Sequence, residues 1–152
     1  MTQDIERIRV AYLAWVRTAM VPGLGLVVLI AAEQLAVRSE FWGAPGGEEP
    51  LRFIVWAIAT AGVAMGRTLK RRGPRSAPDK LAEARSFSWK LVALAFAPTP
   101  LGFALSFLTR SPLDFFVMLL VSLVAFAMLF PTYALWLDWN SPDAPVDGSE
   151  PS

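Results

Sequence analysis

The sequence predicts an all-α membrane protein, with four transmembrane helices paired as two antiparallel hairpins and an amphipathic interfacial helix ahead of them. Three observations carry this. Four apolar runs are each long enough to cross a hydrocarbon core of about 30 Å. Of the 152 residues, 55% are hydrophobic and only 18% charged, too little charge to cover a soluble domain, and the charges fall between the runs rather than within them. Six tryptophans mostly flank the runs, where amphipathic rings favour the headgroup level.

Residues 1–17 come first. Ile5, Ile8, Tyr12, Trp15 and Val16 recur near helical spacing while Glu6, Arg7, Arg9 and Arg17 are polar, the pattern of a helix lying in the membrane interface. Residues 18–139 form the bundle, with spans near 18–37, 51–69, 87–108 and 113–131. The first run is too long for the apolar region of a signal peptide and is followed by no small-residue cleavage pattern, so it reads as a retained helix. The second span requires Arg52 to reach outward from its outer end. In "SAPD", Ser76 reads as an N-cap with Pro78 in the first turn and Asp79 three residues after the cap. The same grammar recurs in "SPLD", where Ser111 caps, Pro112 opens the helix and Asp114 completes a capping box. Pro131 ends the fourth span. Beyond it Tyr133, Trp136 and Trp139 recur every third residue and are expected to share a face along the inner interface. The tail, residues 140–152, is rich in Pro, Asp, Gly, Ser and Glu and reads as disordered and acidic.

Orientation follows from the segment between the second and third spans, which carries eight Lys/Arg against Asp79 and Glu83. The positive-inside rule places it in the cytoplasm with both termini, and the poorly basic loops on the other side of a bacterial inner membrane. Lys70, Arg71, Arg72 and Arg75 then form a basic loop facing anionic lipid headgroups. Aromatic interleaving and nucleic-acid modules are missing, so nucleic acid is not expected as a partner.

No cysteine or histidine is present, which removes thiolate nucleophiles, disulfides, Cys/His zinc sites and imidazole acid–base chemistry. Phosphate-binding glycine loops and hydrolase elbows are also absent. No cofactor, metal or catalytic set is expected, and the chain reads as a non-enzyme.

The candidates that remain lie in the spans. Pro98 and Pro100, flanking Thr99 and followed by Gly102, remove the amides that would bond the carbonyls of Leu94 and Phe96, leaving two acceptors for the Thr99 hydroxyl, a neighbouring helix or water to satisfy. A break of this kind either lines a transport site or kinks the helix to fit its neighbours. The absence of charge within two turns favours the kink. Residues 93–102, "ALAFAPTPLG", are locally similar to the carboxylate-bearing helix of the rotor-ring subunit of ATP synthases, but Phe96 stands where the proton-carrying acid would be and no carboxylate in the interior of the second or fourth span replaces it. Glu33 is the one ionisable group well inside a span. Intramembrane acids handle protons or cations, yet its closeness to Arg38 favours an interfacial carboxylate reached by water or a basic partner. Gly62 and Gly66 form a small-xxx-small motif, expected to pack against another helix of the same chain.

The leading expectation is a non-catalytic accessory or scaffold subunit that packs against other membrane proteins or copies of itself. The alternative is a small transporter or channel built on the broken third helix and Glu33.

Overall fold

The computed structural model describes residues 2–38, 49–74 and 79–140. The tail expected to be disordered, the Ser76 cap, Arg75 and most of the first outer loop lie outside the described residues. Among those described the protein is all helical, with seven helices: α1 (Thr2–Ala19), α2 (Val21–Arg38), α3 (Glu49–Arg72), α4 (Lys80–Phe96), α5 (Pro98–Thr109), α6 (Pro112–Leu129) and α7 (Tyr133–Asn140). Four stretches are long and apolar enough to cross a membrane: Asp4–Val37, Glu49–Arg72, Lys80–Thr109 and Pro112–Leu129.

The caps explain the boundaries. Asp79 is the N-cap of α4, its side chain accepting from the Ala82 amide, so it caps directly where a capping box was anticipated. Gly73, at φ +73°, closes α3 in the left-handed conformation and donates its amide to Leu69 O at 3.1 Å. Arg110 takes the same conformation at φ 51° and ends α5, and one further residue, Ser111, leads into Pro112 at the start of α6. Ser111 is the N-cap of α6, but its side chain makes no capping bond. The Asp114 side chain is engaged elsewhere, so this capping box does not form.

The break at "APTP" is mild. Ala97 keeps helical angles (φ −53°, ψ −37°) and donates to Ala93 O at 2.9 Å, so α4 runs almost directly into α5, with Pro98 at the first helical position where its missing amide costs least. Thr99 is fully buried and its hydroxyl has no hydrogen-bond partner among the described residues, so it does not satisfy the freed carbonyls.

The tightest packing lies between α5 and α6. Gly102 makes it possible: a Cβ there would overlap Met118 Cβ and stand 2.8 Å from Met118 Cγ and 3.1 Å from the Asp114 carbonyl oxygen. Helix α3 lies on α4, α5 and α6, with Gly66 against Leu129 and Leu94. Gly62 meets nothing within 4 Å, so only one half of the small-residue motif is used inside the chain. The first and second spans, anticipated as a hairpin, make no substantial contact with each other. Helix α2 leans instead on α1, α5 and α6, and Glu33, the one fully buried among its described side chains, meets α5.

The N-terminal helix buries most of the apolar positions read from the sequence, although Ile5 is exposed. Ile8, Trp15 and Ala19 are buried with Tyr12 partly covered, while Glu6, Arg7, Arg9 and Arg17 are exposed. Its stripe packs on α4 and α7 around Trp136 and Val92. The α7 aromatics differ from the expectation. Trp136 is fully buried and Tyr133 and Trp139 pack against the same interior, because the hydrophobic stripe of α1 offers them a protein surface to cover.

Candidate functional site

Two carboxyls are buried near the end of the bundle where α5 turns into α6. Asp114, in the first turn of α6, is fully buried. Thr109 donates its hydroxyl to Asp114 Oδ2 at 2.6 Å, and Arg52 Nε lies 2.8 Å from Oδ1 and 3.1 Å from Oδ2, its hydrogen directed to Oδ2. The guanidinium sits astride the carboxylate, which explains why Oδ1 carries no well-aligned hydrogen bond despite the closer approach. Arg52 comes from the first turn of α3, so this cluster ties α3, α5 and α6 together. It does not reach outward: its side chain is only 24% exposed. A charged donor on a buried carboxylate is among the stronger single links available to a bundle.

One turn earlier on α5, Ser106 meets Glu33 of α2. The Ser106 hydroxyl lies 3.4 Å from Glu33 Oε2 and 2.7 Å from its own Phe103 carbonyl oxygen, while Glu33 Oε1 has no partner among the described residues. Glu33 is fully buried, so the water-reached half of the sequence reading is not met, while the side chain of Arg38, the nearby basic residue, lies outside the described ones. Ser106 and Thr109 stand three residues apart on α5, about 4.5 Å along the axis, and so place both acids at one end of the bundle. The residues missed from the sequence are Ser106 and Thr109. Their spacing with Thr99 and Gly102 at i, i+3, i+7 and i+10 marks one small, polar face of α5, and that signal was present in the sequence.

The remaining candidates lie elsewhere. Asp138 lies on α7, beyond the far end of α6, and the axis of α6 from Asp114 to Leu129 alone covers about 22 Å, so Glu33, Asp114 and Asp138 do not converge. No group of metal-ligating side chains assembles among the described residues. Lys70, read as part of a lipid-facing loop, lies in the last turn of α3 and donates to the carbonyls of Met128 at 2.7 Å and Phe130 at 2.9 Å. It caps α6 across the bundle, because the last carbonyls of that helix lack intrahelical donors. Arg71 and Arg72 are exposed beside it. Also on this side, Trp136 Nε1 donates to buried Ser88 Oγ at 3.0 Å, and Tyr12, Trp15, Phe130 and Trp136 stack with ring centroids 5.2 to 6.0 Å apart.

One apolar groove of about 560 Å³ separates α2 from the α4–α5 junction, lined by Pro22, Gly25, Leu26, Leu29, Phe96 and Pro100 among others. The chain matches no protein-family model, no curated protein and no solved structure.

Proposed function

We propose that the protein is a non-catalytic integral membrane subunit that acts by packing against another membrane protein. In this reading α2, α3, the α4–α5 unit and α6 are four transmembrane spans in a bacterial inner membrane, with α5 and α6 packed as a hairpin, both termini and the basic segment in the cytoplasm, and α1 along the interface. Its exposed apolar surface meets lipid and the partner, and it needs no cofactor. The observation that carries the reading is the state of α2. Leu24, Val27, Val28 and Leu35 are all 62–68% exposed, and the groove beside it has small residues, Gly25, Ala93 and Ala97, along its walls. Small residues let a second helix approach its backbone closely, and packing of this kind is what drives association in lipid. In the interior, by contrast, Ser88, Ser106, Thr109 and Asp114 are tied into links between helices of the chain itself.

A filled groove tests this. A Cβ at Gly25 meets nothing within 4 Å and Gly25 lines the groove, so Gly25→Leu starts its side chain into open space and extends it into the groove. The expected outcome is a defined hetero-complex for the natural chain in mild detergent, and normal abundance with loss of the co-purifying partner for the variant. A variant that keeps its partner refutes the assignment.

Buried Glu33, with one oxygen unpartnered among the described residues, favours a second reading as a small transporter handling a proton or cation. Glu33→Gln separates the two. Docking requires unchanged partner recovery, whereas transport requires a homo-oligomer whose flux is lost while assembly persists.

A further inference from the structure

Around the end of α3 opposite Arg52, a pocket of about 520 Å³ is bounded by Arg67, Arg71 and Arg72 of α3, Met128 of α6, and Asp138 and Trp139 of α7. Arg67 and Arg71 are one helical turn apart and lie on one face, with Arg72 beside them. All three are exposed, and none makes a hydrogen bond or ion pair with another described residue. Lys70 adds charge to the pocket, but its ammonium is occupied by the α6 carbonyls. Asp138 is the one carboxylate among the lining residues, so the pocket keeps a clear cationic excess. One wall is fixed: Trp139 packs edge-on against Phe87 with ring centroids 5.4 Å apart, and fits beside Gly73 because a Cβ there would stand 3.0 Å from its Nε1.

The pocket continues into an apolar track. Leu120, Val124 and Met128 recur every fourth residue on α6 and are 62%, 52% and 39% exposed, forming a ridge that leads away from the arginines along the candidate span. Unoccupied guanidiniums suit phosphate oxygens, which they grip with paired donors. A soluble phosphate would account for the arginines and leave the ridge without a role. A quaternary-ammonium headgroup would bring a cation into a site already in cationic excess. We propose that this pocket is a specific site for an anionic phospholipid, its phosphate held by Arg67 and Arg71 with Arg72 in support, and an acyl chain laid along Met128, Val124 and Leu120. The inference rests on the membrane reading above and is independent of what docks on α2, since lipid retention and partner recovery are measured separately.

The test is native mass spectrometry of the full chain released from vesicles of equal parts phosphatidylglycerol and phosphatidylcholine. The expected result is one retained phosphatidylglycerol in preference to phosphatidylcholine. Arg67→Gln with Arg71→Gln should weaken that retention by roughly fivefold for each arginine. The charge-matched pair Arg7→Gln with Arg9→Gln, exposed on α1 and away from the pocket, should leave it unchanged. Equal retention of the two lipids, an equal loss in the α1 pair, or displacement of the lipid by inorganic phosphate would each overturn the proposal. The four positions are exposed, so neither pair removes a packed side chain.

Discussion

Where α5 turns into α6 the interior of the bundle is polar, whereas where α6 gives way to α7 it is aromatic. At the polar end a few directed links join the helices, beside the close α5–α6 approach at Gly102: Arg52 to Asp114, Thr109 to Asp114, and Ser106 to Glu33. At the aromatic end Tyr12, Trp15 and Trp136 each meet the other two rings, and Phe130 packs on Trp15 and Phe126. The contrast shows two ways of joining helices when apolar burial alone does not choose a partner, as in lipid. Directed links concentrate their free energy in one or two side chains and leave a buried charge behind when broken. Stacked rings spread it over many contacts, so trimming one ring removes only its share.

The sharpest way to break this comparison is Asp114→Ala. It strips Arg52 of its carboxylate and Thr109 of an acceptor at once, and should cost about 3 kcal/mol, the low end for a severed buried pair because Arg52 retains some exposure and can turn to water. Thermal unfolding in mild detergent measures it. A double-mutant cycle with Arg52→Gln should then show strong coupling, and a loss below about 1 kcal/mol would mean that the ion pair contributes little.

Close approach of α5 and α6 provides the next largest effect. Gly102→Ala drives a methyl group into Met118 and toward the Asp114 carbonyl, with an expected cost of about 1–3 kcal/mol. Gly62→Ala, at a position with open space around it, should be neutral or gain up to about 1 kcal/mol from helix propensity. Equal effects at the two glycines would show that propensity rather than close packing governs both.

Among the destabilising changes, the smallest loss is expected at the aromatic end. Trp136→Phe keeps a ring in the cluster but deletes the hydrogen bond to Ser88, and should cost about 1 kcal/mol in the same unfolding assay. A loss as large as that of Asp114→Ala would erase the difference between the two ends.

Some of this was legible before any coordinates. Helix periods, run lengths and caps are local properties, so the four apolar stretches, the amphipathic α1, the turn before Pro112 and the end of α6 at Pro131 follow from neighbouring residues alone. The composition likewise determined which chemistry is missing, because a chain without cysteine or histidine cannot supply it. Tertiary structure decided the partners. Arg52 and Asp114 lie 62 residues apart in sequence, Glu33 and Ser106 are 73 apart, and Lys70 meets Met128 across 58. Nothing local distinguishes an arginine that reaches outward from one that closes on a carboxylate, or a tryptophan facing lipid from one covered by α1. A side chain's period fixes which face of its helix it occupies, but which surface that face meets depends on how the helices pack, and in this chain the packing turned on Gly102, on the stripe of α1 and on a handful of long-range polar links.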